Sequence, residues 1–260
     1  MKTLFLLCAV FAIGTQASVN FGGRVIGGTN AAAGSAPFIV SFQQSTSKGY
    51  VHFCGGSIIN ANWILTAAHC ITSQSLASKT SIFAGCTNIA NPDQTCTKRT
   101  IASYKNHNLY VGGIAPYDIG LVKVNQPFTF SSSIASIALP AANSQPSGDC
   151  TLYGWGSTST TTTPAFPVNL QQVVLPIISL KACEDALGKA AINIHNTNVC
   201  TGPLTGGKGI CTSDSGGPLV SKNTLVGVVS WGKNPCGQKN TPSVFTRVSA
   251  FISWIQDNQK

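Results

Sequence analysis

The chain has 260 residues, 43% of them hydrophobic and only 9% charged, with 26 Gly, 13 Pro and 10 Cys. That length holds one large all-β unit or two small domains with a substantial core, and so apolar and weakly charged a chain is not an intrinsically disordered one. Its 16 Lys and Arg against 7 Asp and Glu give a net charge of +9, but the cations are scattered, with no Arg-rich run and no interleaved aromatics, which reads as solvated surface charge and argues against a nucleic-acid partner.

At the N-terminus Lys2 precedes an apolar stretch over 4–13, and Thr15 and Ala17 supply the small residues of a signal-peptidase site. Residues 1–17 are therefore read as a cleaved signal peptide and the protein as secreted. The apolar stretch is too short to span a bilayer and no later one approaches that length, so no membrane association is expected. No Asn-x-Ser/Thr acceptor for N-linked sugar is present. Cys8 leaves with the signal peptide. Nine cysteines remain, and in an oxidising compartment disulfides are the default for them, the odd number leaving at least one without an intramolecular partner.

Further along, segments rich in Val, Ile and Phe recur between turn-forming residues at 38–43, 56–59, 119–124, 172–178 and 225–230. Short strands at such spacing predict an all-β barrel or sandwich. Residues 157–163 are all Ser or Thr, followed by Pro164; an exposed loop is the favoured reading and O-glycosylation the alternative. Helical periodicity is clear only at the end, where Val248, Phe251, Ile252 and Ile255 follow an i, i+3, i+4, i+7 pattern.

Three local sequences carry chemistry jointly. His69 and Cys70 close the run Thr66-Ala67-Ala68-His69-Cys70; Asp118 heads the apolar strand 119–122; Ser215 sits in the glycine-rich bend Ser213-Asp214-Ser215-Gly216-Gly217. Singly, each is weak: a lone histidine is usually a satisfied core residue and a lone aspartate a cap. Together they are what amide hydrolysis needs. A serine hydroxyl becomes a nucleophile when an imidazole takes its proton, and a carboxylate must hold that imidazole in the right tautomer.

In these motifs, and over essentially all of 25–260, the chain resembles the chymotrypsin/trypsin family of serine endopeptidases. The resemblance implies two six-stranded antiparallel β-barrels with the active site between them, the first at about 25–130 and the second at about 131–245, and a C-terminal helix at about 246–258. It implies that Ser215 attacks the scissile carbonyl, that His69 relays its proton, that Asp118 orients His69, and that the N–H groups of Ser213 and Ser215 stabilise the oxyanion. Ser230, Trp231 and Gly232 would pair with the substrate backbone by strand addition, the Ser230 hydroxyl also supporting Asp118. Arg24-Val25-Ile26-Gly27-Gly28 matches the family's activation sequence: cleavage after Arg24 would remove an 18–24 propeptide and bury the new α-ammonium of Val25 against Asp214. Loss of residues 1–24 takes Lys2 and Arg24 from the basic count and no acid, leaving +7. By the same resemblance Cys54 pairs with Cys70, Cys183 with Cys200 and Cys211 with Cys236, each worth about 3 kcal/mol in the chain-entropy model. Cys86 and Cys96, ten apart, are expected to staple their own loop. That loop matches the family's calcium loop but has no Glu and only Asp93, so calcium is not expected. Cys150 is left as a free thiol, since Ser221 stands where many relatives place its partner.

The pattern departs from the family twice. Trypsin-like members carry an aspartate six residues before the nucleophile, where this chain has Gly209, followed by Ile210; Gly232 and Ser243 on the opposite wall offer no acid either. A buried Lys or Arg would lack a counter-charge, so the expected preference is for uncharged apolar side chains, with Phe/Tyr and Leu/Met/Ala both open. Self-activation at Arg24 is then not expected, and a trypsin-like activator is. Second, Ser213 stands where the family has glycine, and glycine gives the oxyanion-hole backbone its freedom. This keeps alive an alternative: a catalytically weak or inactive homologue acting as a binding or regulatory protein. A nucleotide-binding reading of 202–208 (Gly-x4-Gly-Lys) fails because Gly209 stands where Ser or Thr must reach magnesium. No His-Glu-x-x-His or Cys-x-x-Cys cluster points to a metal, and no cofactor is expected. The implied partners are protein and peptide substrates, the activating protease and protein inhibitors of a monomeric enzyme. The short propeptide and lack of accessory domains point to digestion.

Overall fold

Residues 25–47, 49–92 and 96–259 are described by a computed structural model. The expected signal peptide, the propeptide with Arg24, and Asp93 lie outside these residues. In the first half, β2 (Ile39–Thr46), β3 (Gly49–Asn60), β4 (Trp63–Thr66), β5 (Thr80–Ala84), β6 (Thr97–Asn106) and β7 (Gly120–Val124) close into an antiparallel barrel in the order β2-β3-β4-β7-β6-β5. In the second half, β8 (Asp149–Gly154), β9 (Gln171–Ile178), β10 (Asn198–Thr201), β11 (Pro218–Ser221), β12 (Thr224–Trp231) and β13 (Ser243–Arg247) run β9-β10-β13-β12-β11-β8, and β8 pairs back with β9 to close a second barrel. The expected pair of six-stranded barrels is what the chain forms.

Local chemistry explains the strands. In β8, alternate residues Cys150, Leu152 and Gly154 are buried while Asp149 faces out, the period of two that a half-solvated strand needs. In β12 every residue after Thr224 is buried, so this strand reads as an unbroken apolar run. The two-residue connection between β11 and β12, Lys222-Asn223, has φ of 46° and 61°, the left-handed pair that matches hairpin twist. Phe42, Ile58, Ile64, Leu65, Ile82 and Leu121 are fully enclosed in the first barrel, and Leu152, Leu175, Leu219 and Phe245 in the second; burial of each contributes about 1.5–3 kcal/mol.

Two differences from expectation have physical reasons. A two-residue strand, β1 (Thr29–Asn30), pairs with β9, and Val25 is buried in the second barrel's core; the start of the described chain thus belongs to the second barrel, not the first. At the other end the helix is shorter than 246–258. Strand β13 persists to Arg247, a 3-10 turn spans Val248–Phe251, and an α-helix covers only Ile252–Asp257. In a 3-10 turn residues i and i+3 eclipse, which lets Val248 and Phe251 enter the core together, and both join the first barrel's cluster with Ile255.

All four anticipated disulfides are formed: Cys54–Cys70, Cys86–Cys96, Cys183–Cys200 and Cys211–Cys236. Cys150 is free, 2% exposed, and bonded to Ser221; burial is the main influence on its thiol pKa and pushes it up, which makes it unreactive. The Ser/Thr segment 157–163 is not uniformly exposed. Ser157 is buried and its N–H bonds the Thr212 carbonyl, while 160–163 face solvent. Among the described residues no helix is long and apolar enough to cross a membrane.

Candidate active site

His69 follows β4 within a single 3-10 turn, Ala68–Cys70, which the Cys54–Cys70 disulfide clamps to β3. Asp118 lies just before β7, behind Tyr117, which is held at φ 65° and stacked on His107 with ring centroids 5.0 Å apart. Ser215 sits in the bend between Cys211 and β11. One barrel therefore supplies the imidazole and carboxylate, the other the hydroxyl. Gly216, at φ 75°, lets them meet: a Cβ there would lie 2.2 Å from Thr66 Oγ1 and 2.5 Å from the Gly55 carbonyl, so only glycine fits. The Gly55 N–H bonds the Ser215 carbonyl at 2.8 Å, tying the bend to β3.

Asp118 is 2% exposed and saturated with donors. Its Oδ2 accepts from His69 Nδ1 at 2.8 Å and from Ser230 Oγ at 2.6 Å, and its Oδ1 from the His69 N–H at 3.0 Å. A carboxylate bonded to Nδ1 places the ring proton there and leaves the Nε2 lone pair free to act as a base. Thr246, on β13, donates to the Asp118 main-chain carbonyl at 2.8 Å. Sequence reasoning missed Thr246 because no local motif marks it; it reaches Asp118 only through barrel packing. Ser215 Oγ and His69 Nε2 are not joined by a hydrogen bond; such contacts commonly tighten only when substrate binds. Cys54, His69 and Cys70 lie close enough to suggest a metal cluster, but both sulfurs are in the disulfide and no thiolate remains.

Beside the nucleophile, the N–H groups of Asp214, Gly216 and Gly217 are all bonded to protein carbonyls. Those of Ser213 and Ser215 have no protein acceptor. Ser213 adopts φ 73°, the left-handed conformation that glycine would take, at a cost of about 1–2 kcal/mol for a residue with a Cβ. A hydrogen bond from His52 Nε2 to the Ser213 carbonyl, 3.0 Å, holds it there. Because a carbonyl only accepts, the proton is on Nε2; Nδ1 then accepts from Ser41 Oγ at 2.7 Å, and Ser41 accepts from Gln43 Nε2. This support for the bend was also invisible to motif reading. Its only sequence signal is a histidine inside an otherwise apolar strand.

Asp214 is 1% exposed and bonded to the N–H groups of Gly156 and Cys211, each at 2.9 Å. Burial raises its pKa to about 7, against the lowering effect of those two bonds. Burial likewise lowers the pKa of His52 to about 4. The linkage signs oppose. Between its ordinary 3.8 and about 7, folded Asp214 holds a proton that the unfolded chain has lost, so its contribution to stability falls as pH rises. Between about 4 and 6.5, His52 is neutral when folded and charged when unfolded, so its contribution rises. Asp214→Asn in the uncleaved chain removes the first slope. Relative to wild type, its unfolding free energy in urea is expected to climb with pH across this window, by up to about 1.4 kcal/mol per unit; a flat difference would contradict it.

The primary cleft beside Ser215 has a volume of 190 Å³ and is lined by Ile210, Val229, Trp231, Gly232 and Lys233, among others. Gly209 and Ser243 lie behind this lining, with Ser243 Oγ accepting from the Ile210 N–H at 3.1 Å. Ile210 fills the space against Gly232, where a Cβ would approach its Cδ1 to 3.3 Å. Among the described residues, the sole ionisable side chain in the lining is a cation, Lys233, whose Nζ donates to the Leu187 carbonyl. A larger cleft of 560 Å³, walled by His52, Ile89, Trp155, Phe166 and Val168, flanks the other side of the 212–215 bend at Ser213.

The trypsin family model matches residues 25–255. The chain is 36% identical over 249 residues to a lectizyme of Glossina austeni, covering 91% of this chain and 86% of the relative. It is 35% identical over 236 residues to a trypsin of Sus scrofa, covering 90% and 94%, and 38% identical over 236 residues to trypsin delta of Drosophila melanogaster, covering 91% and 88%. With a carboxylate-held imidazole, a serine bend and two closed barrels already in place, this likeness along nine-tenths of the chain settles its kinship: the protein belongs to the trypsin family of serine endopeptidases.

Proposed function

We propose that the protein is a secreted zymogen, activated by cleavage after Arg24, that hydrolyses peptide bonds beside uncharged apolar residues through an acyl-enzyme, in a digestive setting. The observation that carries catalysis is the Asp118–His69 pair, which leaves Nε2 free to act as a base, in a turn that the Cys54–Cys70 disulfide clamps to the same strand whose Gly55 bonds the Ser215 carbonyl. Ser215 Oγ attacks the scissile carbonyl as His69 takes its proton; oxygen charge develops toward the unpartnered N–H groups of Ser213 and Ser215; His69 then protonates the leaving amine. Water repeats the cycle to release the acid. Gly232, just past the end of β12, supports strand addition by the substrate's acyl half, and the larger cleft beyond Ser213 offers apolar walls to the leaving half.

The specificity reading rests on the acid-free primary cleft. A substrate Lys or Arg would be desolvated beside Lys233 with no carboxylate to meet it, at a cost of several kcal/mol. The relatives named trypsin do not alter the lining of this chain's cleft. In a peptide panel, kcat/KM after Leu or Phe is expected to exceed that after Arg by about 10²-fold or more; faster cleavage after Arg overturns this preference. The zymogen reading is tested by treating the precursor with trypsin and then with a fluorophosphonate. Labelling of Ser215 only after a Val25 N-terminus appears is the expected result. Equal labelling before cleavage would defeat zymogen control, and none after it would defeat the catalytic reading.

A further inference from the structure

Among the described residues, three large apolar side chains without a branched Cβ stand exposed: Leu109 at 53%, Phe130 at 47% and Phe166 at 56%. Their settings differ. Phe166 is followed by Pro167, whose nitrogen carries no N–H and whose ring crowds the bond. After Phe130 the chain is fixed: the Ser131 N–H bonds the Ile134 carbonyl at 2.8 Å, and the Ser131 hydroxyl accepts from the N–H groups of Ser133 and Ile134. Leu109 lies in the connection between β6 and β7, where the hydrogen bonds of 108–116 are all local. The Leu109 N–H bonds His107 Nδ1 at 3.3 Å, the Tyr110 N–H the His107 carbonyl at 3.0 Å, and the Tyr110 hydroxyl the Gly113 carbonyl at 2.8 Å. Val111 is 87% exposed, and Gly112 and Gly113 sit at φ 95° and 65° with open space where a Cβ would stand. A segment with so few outward bonds opens locally at low cost, and exposed loop tips are where chains are nicked. Its glycines also let it take the extended form that strand addition in a protease cleft requires.

The position of this loop in the covalent framework gives a cut there an unusual consequence. The four disulfides close the spans 54–70, 86–96, 183–200 and 211–236. A cut inside any of these leaves the two ends tied; Ile192, 88% exposed, lies in such a span. None of the four spans Leu109. A single cut after it leaves 25–109 and 110–260 with no covalent link, and puts His69 and Asp118 on different chains held together only by barrel packing. The stretch 106–122 contains no Lys or Arg, so trypsin leaves it whole and a cut within it reports an apolar specificity.

We propose that the activated enzyme severs its own chain at Leu109–Tyr110, one molecule cutting another, and so limits its own lifetime. The inference rests on the apolar primary specificity proposed above. Leu109 enters the primary cleft, Ser215 Oγ attacks the Leu109 carbonyl carbon, the Tyr110 nitrogen leaves with the proton from His69, and water releases the new carboxylate. The test adds trypsin-activated wild-type enzyme, freed of trypsin, to Ser215→Ala protein with the same Val25 N-terminus, which cannot cut itself. Denaturing electrophoresis without reductant and N-terminal sequencing read the product. Two separated fragments and a new N-terminus at Tyr110 are expected. Leu109→Gly in the Ser215→Ala protein keeps the loop open but removes the side chain that fills the cleft, and is expected to slow cleavage of this bond at least about tenfold. A first cut elsewhere, fragments that stay joined without reductant, or an undiminished rate in Leu109→Gly would overturn the proposal. An intact loop would overturn it too, and two controls locate the failure. If the enzyme cuts a peptide after Leu, self-cleavage alone fails; if it cuts only after Arg while chymotrypsin opens Leu109–Tyr110, the specificity reading fails and takes this inference with it.

Discussion

Ser215→Ala is expected to lower kcat on a good peptide substrate by about 10⁶-fold, a magnitude carried over from well-studied serine-protease triads, with substrate affinity nearly unchanged. The reasoning starts from what remains. The variant keeps the His69–Asp118 bond, the two open N–H groups of the bend and the primary cleft, because the Ser215 side chain is bonded to none of them. What it loses is the covalent route, and the residual rate is that of water in a polarising site. Asp118→Asn tests a separate part. An amide at this position can donate to Nδ1 and stabilise the tautomer whose proton is on Nε2, so catalysis should fall by about 10⁴-fold even though the geometry survives. Initial rates and fluorophosphonate labelling of each variant, activated and checked for a Val25 N-terminus, measure both. A Ser215→Ala enzyme within tenfold of wild type would mean the nucleophile lies elsewhere.

Asp214→Asn is expected to cut the activity of the cleaved enzyme by about 10²–10³-fold. In the uncleaved chain the Asp214 carboxyl is enclosed with two N–H donors and, among the described residues, no cation, and burial pushes its pKa up to about 7. A new ammonium at Val25 would reverse that shift by pairing with the ionised carboxylate. Removal of one partner of such a buried pair costs about 3–5 kcal/mol, and each 1.4 kcal/mol is a factor of ten in an equilibrium between competent and incompetent bends. The lever is short: Asp214 lies between Ser213 and Ser215, so its position sets the direction of both open N–H groups. Substrate kinetics on trypsin-treated Asp214→Asn, together with Arg24→Gln protein that cannot be cleaved there, separate the charge pair from the cut. Full activity in either variant would dissociate activation from this pair.

Sequence alone carried the chemistry and the fold class. Each catalytic candidate is embedded in a local run whose residue types have one shared use; strand periodicity and the cleft residues Ile210 and Gly232 were legible in one dimension, while the pairings Cys54–Cys70, Cys183–Cys200 and Cys211–Cys236 came from the family resemblance, and Gly209 and Ser243 lie behind the cleft lining. Local runs are legible because their constraints act over a few residues: a period of two, a glycine at a left-handed bend, an acid heading a strand. Three features were decided only in space. Thr246 reaches Asp118 across 128 residues, and no local pattern encodes a partner so distant, whereas the Ser230 contact, 112 residues away, was expected only through the family resemblance. Whether Ser213 could stand in for glycine was open in the sequence; the answer depends on a histidine in the other barrel, His52, which bonds its carbonyl while φ is 73°. Arg247 read as one more scattered cation, and only the closure of β9, β10 and β13 around it left that side chain 7% exposed. Residue types determine which reactions are available to a chain; which groups are desolvated, and which donors are left without acceptors, follows from packing between segments far apart in sequence.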